Sequence, residues 1–177
     1  MSQTGMSQTD KELLASLSEL KARAAIGDVL VRYCHALDRG DEAMLRSCFH
    51  DGSLHDHGEF VGSSTDFCTF AIDVLKNCVA THHHLGNIWI SVAGVSAEVQ
   101  SYYVAYHRVP EQGEMPFPRA LPNEDLFIAG RYIDRFECRN GEWRIVQRRG
   151  TIDWCRCEPA ADRGHFVVPL DRFISGK

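Results

Sequence analysis

Apolar residues recur at helical spacing through the first forty positions of this chain. Their intervals of three and four residues predict one long helix or two abutting ones, from an N-cap at Asp10 to a stop at Gly40. Residues 1–9 are expected to be a disordered tail. Asp41 can cap a short second helix, and Ser63 begins the capping sequence of a third. The strongest stripe consists of Ile26, Val29, Leu30, Tyr33, Cys34 and Leu37.

Beyond residue 80 the pattern changes to long stretches in which apolar and polar residues alternate. Helices followed by such strands predict an α+β fold, with helices packed on one face of a strongly curved, mostly antiparallel sheet. We expect one domain over residues 10–157 and a tail over 158–177 that docks on the body or on a neighbouring subunit. Residues 50–62 predict a short hairpin. The four long strands are predicted at Thr81–Val92, Ser96–His107, Leu126–Cys138 and Glu142–Ile152 or beyond.

Three adjacent histidines stand where the first long strand begins. The two-residue period of a strand sends His83 to one face and both His82 and His84 to the other. At least one imidazole therefore faces inward if this strand covers a core, and it needs a partner to fix its tautomer. A solvated strand start and a metal cluster are the alternative interpretations.

Asp38 is an unusual residue for its place in the first helix. It lies four residues after Cys34 and eight after Leu30, so it extends the buried stripe. A carboxylate at a helix C-terminus also opposes the helix dipole, at a cost of roughly 0.3–1 kcal/mol. The alternative is an exposed residue that ties down the turn at Gly40.

Composition narrows the classes of function. A formal charge of -5 and a pI near 6.0 give no basic surface for nucleic acid or anionic membrane. No apolar run reaches the roughly 20 residues that span a bilayer, and no signal-peptide pattern is present, so we expect a cytoplasmic protein. Seven scattered cysteines favour reduced thiols. Cys155 and Cys157 lack the second pair of ligands that a tetrahedral zinc site needs. The spacing of His55 and His57 predicts polar surface or pocket lining.

Three stretches carry a combination of motifs. They are Ile26–Glu42 with its Tyr33-x4-Asp38-Arg39-Gly40-Asp41 core, Thr81-x-His83-x3-Asn87, and Gly130-Arg131-Tyr132-x-Asp134 with the following Glu142-Trp143-Arg144-Ile145. Together they resemble the SnoaL-like proteins of the nuclear-transport-factor-like superfamily, over about residues 12–155. The branch with scytalone dehydratase, lindane dehydrochlorinase and bile acid 7-alpha-dehydratase is the most similar. The resemblance implies a cone-shaped, cystatin-like barrel.

That branch pairs an aspartate at the end of its first helix with a histidine on a facing strand. By position the resemblance implies Asp38 and His83 as the dyad, and Tyr33 matches a tyrosine of the bile acid enzyme. The inward histidine and the buried-face carboxylate lead independently to the same pair, with the imidazole as general base. A register shift of one residue would exchange the base for His82 or His84. Further candidates to bind substrate are Arg131, Tyr106, Asn87, His84 and either Arg148 or Arg149.

We therefore expect a lyase without cofactor or metal, a dehydratase or related elimination enzyme for a small apolar or aromatic substrate. Dehydrohalogenation, carbon–carbon cleavage, isomerisation and polyketide cyclisation use the same base and stay open. The alternative from another class is a non-catalytic binding or assembly subunit, such as the β subunit of ring-hydroxylating dioxygenases. Apolar residues on the long strands predict a homo-oligomer, a trimer or a dimer, and the resemblance favours the trimer. These residues are Trp89, Tyr103 and Val104.

Overall fold

The computed structural model describes residues 6–118 and 120–161. The order of its elements is the predicted one, and each long strand lies within a few residues of its predicted bounds. Most of the predicted C-terminal tail lies outside the described residues. The elements are α1 (Gln8–Arg39), α2 (Glu42–Ser47), β1 (Phe49–Asp56), β2 (Val61–Ser63), α3 (Ser64–Leu75), β3 (Ala80–Ala93), β4 (Ser96–Arg108), β5 (Glu124–Arg139) and β6 (Glu142–Pro159).

The six strands form one curled sheet with the order β2-β1-β6-β5-β4-β3. Neighbouring strands are antiparallel except for β1 and β6, which are parallel. The predicted α+β class and the mostly antiparallel sheet are confirmed. The sheet does not close into a full barrel, because β2 and β3 stay at its two edges within the described part of the chain. Helix α1 packs on the concave face against β3 and β6 and also contacts α3.

Helix α1 is continuous over its 32 residues. Ser7 is its N-cap instead of the predicted Asp10, because the two residues form a capping box: Ser7 Oγ accepts from the Asp10 N–H, and the Asp10 carboxylate accepts from the Ser7 N–H. Gly40 ends the helix at a φ of 65°. No helix in the described residues is long and apolar enough to cross a bilayer. Buried side chains begin only at Ala22, and the first half exposes Leu13, Leu14, Leu17 and Leu20.

A fully buried ion pair lies between α1 and the sheet. Arg148 on β6 donates two hydrogen bonds of 2.7 Å to the carboxylate of Asp134 on β5, and neither side chain is exposed. The Arg148 Cζ atom lies 4.0 Å from the ring centroid of Tyr33 and 4.3 Å from that of Tyr132. Bidentate geometry and two cation–π contacts offset much of the cost of removing both charges from water. The pair joins the middle of the sheet to α1.

Breaking this buried pair should destabilise the protein far more than breaking an exposed pair on the same strands. We expect Arg148→Met to lower the free energy of unfolding by about 3–5 kcal/mol, because Asp134 is left charged and buried. Arg131→Met is the matched control, since Arg131 and Asp153 pair across β5 and β6 with 37% and 39% of their side chains exposed. It should cost at most about 1 kcal/mol. Urea unfolding measures both, and equal costs would contradict the core role of Arg148.

Candidate active site

Asp38 and His83 contact each other where the end of α1 meets the start of β3. Asp38 Oδ1 lies 2.7 Å from His83 Nδ1, and Asp38 Oδ2 accepts a 3.0 Å hydrogen bond from the backbone N–H of His83. The side chains are 19% and 7% exposed, respectively. One carboxylate oxygen therefore holds the strand and the other holds the ring. The second ring nitrogen, Nε2, is left directed away from the carboxylate.

The register of β3 decides which histidine of the run faces inward. His83 and Leu85 lie on the side of the core, whereas His82 and His84 are exposed. Alternation along the sequence places these two pairs on opposite faces but leaves open which pair faces inward. A β-bulge follows, in which Asn87 has a φ of 48°. The structure thus brings His83, and neither of its neighbours, to Asp38.

The surroundings keep the Asp38 carboxylate ionised. Partial burial raises its pKa, but hydrogen bonds from the ring and the backbone of His83, together with nearby imidazole charge, bring the pKa below its usual range. A negative charge beside Nδ1 favours the tautomer that carries its proton on that nitrogen. Nε2 then holds the lone pair. The arrangement can accept a proton at Nε2 and return it.

A second inward imidazole, His107, lies beside His83. The two ring centroids are 5.3 Å apart in an edge-to-face arrangement. Thr81 Oγ1 is 3.0 Å from His107 Nδ1, and the Phe117 ring lies 4.8 Å from the His107 ring. Burial, with a smaller effect of the His83 charge, lowers the pKa of His107 to about 3, so the ring is neutral. His107 is absent from the predicted site, although strand alternation places it on the same face of β4 as Val99 and Ala105.

Two more imidazoles lie at the end of β1. His55 stacks on Phe67 with 3.3 Å between centroids, and its Nε2 is 3.4 Å from Nδ1 of His57. Burial lowers the pKa of His55 to about 2 and that of His57 to about 4, and the charge of Arg148 acts in the same direction on both. Both side chains line the interior, so the predicted pocket lining describes this motif better than polar surface does. Within the described residues, no three potential metal ligands are grouped to hold an ion.

Tyr33, the third predicted catalytic residue, is fully buried on α1. Its ring packs edge-on against Phe49 and Tyr132, with centroids 6.0 and 5.5 Å away. Burial raises its pKa above the usual range, although Arg148 opposes that effect. Its hydroxyl has no hydrogen-bond partner among the described residues. The side chain therefore belongs to the core and keeps one unused donor.

Tyr106, predicted to bind substrate, lies on the outer face. Regular pairing from the Ala93–Ser96 turn would place Tyr106 opposite His83. The β-bulge shifts that pairing by one residue, so Tyr106 pairs with His82 instead. Two other predicted substrate contacts on β3 are exposed as well and do not join the dyad, namely His84 and Asn87.

The predicted arginines also point away from the dyad. Arg131 lies 3.2 Å from Asp153 on the outer face, and Arg149, with 67% of its side chain exposed, lies 3.5 Å from Asp56. A bulge between residues 135 and 136 shifts the pairing of β5 with β6 by one residue. That shift turns Arg148 inward and Arg149 outward, so of the two predicted alternatives Arg148 lines the interior and Arg149 does not.

A groove lies at the other end of the sheet from the dyad. The groove, about 640 Å³ in volume, lies between the first half of α1 and the turns at the far end of the sheet, lined by residues that include Ala22, Val95, Cys138 and Trp143. These residues are at the opposite end of β3 from His83. Because small and apolar side chains form much of the groove, we place the candidate active site at the dyad.

Comparisons with known proteins agree with this architecture. The SnoaL-like domain family matches residues 18–149. A hexachlorocyclohexane dehydrochlorinase of Novosphingobium barchaimii has a TM-score of 0.70 at 20% identity, over 87% of this chain and 99% of that one. A putative scytalone dehydratase of Novosphingobium aromaticivorans has a TM-score of 0.67 at 20% identity, over 85% and 98%. A cystatin-like protein of unknown function from Nostoc punctiforme has a TM-score of 0.58 at 16% identity, over 74% and 90%. No curated protein matches by sequence.

The buried neutral imidazoles should make the fold sensitive to acid. The pKa values of about 2 for His55 and about 3 for His107 lie below the usual value of about 6.5. Below pH 6.5 the unfolded chain binds protons that the folded chain does not, so stability is complete above about pH 6.5 and falls as the pH drops towards 3. Replacing His107 by Asn should reduce that slope by up to about 1.4 kcal/mol per pH unit.

Urea unfolding at pH values from neutral to mildly acidic measures this effect. Replacement of the exposed His35 by Asn is the matched control for the loss of a histidine. A slope that stays the same in the His107→Asn protein would show that His107 is not held neutral by burial.

Proposed function

The chain belongs to the SnoaL-like domain family, and we propose that it is a cofactor-independent lyase, a dehydratase or related elimination enzyme for small apolar or aromatic substrates. The contact between Asp38 Oδ1 and His83 Nδ1, at 2.7 Å, is the observation that carries the proposal. Two structural neighbours are named as a dehydrochlorinase and a putative scytalone dehydratase, and both names denote eliminations. At 20% identity they support the fold, so the chemistry rests on the residues of this chain.

His83 is the proposed base. Asp38 holds the Nδ1 proton, which leaves the lone pair on Nε2 to remove a proton from the carbon beside an activating carbonyl or aryl group. The electrons of that C–H bond form the new carbon–carbon double bond. Because Asp38 is fixed by two hydrogen bonds to the same residue, the ring is already oriented before substrate binds.

The same nitrogen is the proposed acid. As the carbon–oxygen bond breaks, the leaving oxygen takes a proton from Nε2 of the His83 imidazolium and departs as water, which returns His83 to its neutral form. The Asp38 carboxylate stabilises the imidazolium between the two steps. Tyr33, the third predicted catalytic residue, has no assigned part in this step, because its hydroxyl is buried in the core beside the Arg148 guanidinium.

Aromatic side chains around the histidines support a flat apolar substrate. Phe117 packs on His107, with 4.8 Å between centroids. The rings of Phe67 and Tyr132 lie 5.6 and 6.1 Å from the His57 ring. Aromatic pairs prefer such offset or tilted contacts, and an aromatic substrate can make them as well.

The aldol adduct of benzaldehyde and acetone, a neutral aromatic β-hydroxy ketone, is a suitable probe. Elimination yields benzylideneacetone and water, which is followed by ultraviolet absorbance. We expect His83→Gln and Asp38→Asn each to lower turnover by about 10² or more, because general-base catalysis contributes roughly 10² to 10⁴. The double variant should lose little beyond the worse single variant, since the two residues act as a unit.

Controls separate this reaction from its alternatives. Benzaldehyde and acetone as products would indicate carbon–carbon cleavage, and deuterium exchange without elimination would indicate an isomerase. A chelator should leave turnover unchanged. Parent-like turnover in the His83→Gln protein would contradict the proposed base, and loss only in His82 or His84 variants would transfer the role to that residue.

We also propose that the outer face of the sheet pairs copies of this chain, as a trimer or a dimer. Trp89 and Val104 are 53% and 43% exposed there, but Tyr103, also predicted for this face, is buried and stacks on Tyr132. Strands β4, β5 and β6 add further exposed apolar side chains to the same surface. They are Tyr102, Ile133 and Trp154. A surface of this kind on a sheet is typical of a protein–protein contact.

Introducing a charge on this face should dissociate the oligomer. We expect Val104→Arg to produce monomers in light scattering at micromolar concentration, since an arginine in the centre of an apolar contact would be buried without a partner. Val31→Arg is the matched control, because Val31 is 60% exposed on α1, away from the sheet. A parent protein that is already monomeric would contradict the proposed assembly.

A further inference from the structure

His57 has a defined place in the turn that follows β1, next to the buried His55. Its backbone N–H donates a 2.8 Å hydrogen bond to the carbonyl of Phe60, which closes the turn after β1. Its ring lies over Gly150, where an added Cβ would collide with Nδ1 and Cε1. The Nδ1 edge of the ring therefore lies against β6. The other ring nitrogen, Nε2, has no hydrogen-bond partner among the described residues.

The contact with His55 assigns the protons of this imidazole pair. His55 Nε2 and His57 Nδ1 are 3.4 Å apart, so one of them is the donor. His55 Nδ1 is buried and has no partner among the described residues. If His57 Nδ1 were the donor, His55 would keep an unpaired buried N–H, which is rarer in proteins than an unpaired acceptor. The favoured arrangement has His55 Nε2–H as donor, and it leaves the proton of His57 on Nε2.

We propose that His57 Nε2–H is a fixed hydrogen-bond donor that holds an oxygen of a neutral substrate across the interior from His83. This inference rests on the proposed function for the position of the reacting carbon. β1 and β3 lie on the two sides of the curled sheet, with β6, β5 and β4 between them. A substrate whose acidic C–H meets His83 would thus present its carbonyl or hydroxyl oxygen to the wall that contains His57.

The charges around His57 agree with a neutral donor and a neutral substrate. Burial lowers the pKa of His57 to about 4, and the charges of Arg148 and His83 act in the same direction. The ring therefore stays uncharged at neutral pH. Arg148 gives two of its hydrogen bonds to Asp134, so its charge is compensated within the core. A substrate carboxylate would find no uncompensated cation among these residues, whereas a ketone or alcohol oxygen would find an N–H.

Two probes of nearly equal shape test the donor directly. Acetophenone has a carbonyl oxygen, and α-methylstyrene has a CH₂ group in its place. We expect calorimetry to show that the parent protein binds acetophenone about 3- to 10-fold more tightly, the range of one neutral hydrogen bond. His57→Leu should abolish this preference. His57→Gln should restore part of it, because the amide nitrogen of Gln reaches towards the position of Nε2.

A variant at the floor of the site provides a second test. Gly150→Ala should displace the His57 ring and reduce the preference, whereas Gly86→Ala, where an added Cβ meets nothing within 4 Å, is the matched control. The preference should survive in the His83→Gln protein even if that variant is inactive, which separates this inference from the proposed reaction. Equal binding of the two probes, no binding of either, or an undiminished preference in His57→Leu would overturn it.

Discussion

Two hydrogen bonds between Asp38 and His83 join the last turn of α1 to the first residues of β3. A carboxylate at a helix C-terminus is opposed by the helix dipole, at a cost of roughly 0.3–1 kcal/mol. Placing it there also removes part of it from water. The two bonds offset those costs and leave one imidazole nitrogen free. The proposed proton transfer depends on this free nitrogen.

The rest of the interior keeps charge away from that pair. Asp134 and Arg148 neutralise each other in a bidentate contact, and burial keeps His55 and His107 uncharged at neutral pH. The ionised Asp38 is therefore set among neutral or compensated groups, where its charge acts more strongly on His83 than it would in water. The same burial makes the fold sensitive to acid, so the properties that suit the site for proton transfer also limit its stability.

Local patterns predict most of the fold. Helical spacing identifies the buried part of α1, Gly40 marks its end, and strand alternation separates His83 from His82 and His84. The sequence does not reveal the β-bulges in β3 and β6. A bulge needs no specific residues, and it reverses which side chains face the core along the rest of its strand. The bulge in β3 turns His83 inward in place of His84, and the bulge opposite residues 135 and 136 turns Arg148 inward in place of Arg149, whereas His107 follows the regular alternation of β4.

The exposed leucines in the first half of α1 show a second limit of sequence patterns. Helical periodicity identifies the apolar face of a helix. It does not show whether the sheet extends far enough to cover that face. The contact between Asp38 and His83 could be predicted because two separate patterns, a carboxylate on a buried stripe and a run of histidines at a strand start, specify complementary groups. The substrate-binding residues could not be predicted in this way, because no second pattern in the sequence supplies a complementary group for them.

The tautomer of His83 is the property on which the proposed chemistry depends most directly. Long-range proton–nitrogen correlation NMR on protein with ¹⁵N-labelled histidine can assign the proton to one ring nitrogen at neutral pH. We predict that Nδ1 carries it and Nε2 does not, and that Asp38→Asn weakens this preference because the negative charge is lost. A His83 ring with its proton on Nε2 in the parent protein would contradict its role as a base held by Asp38.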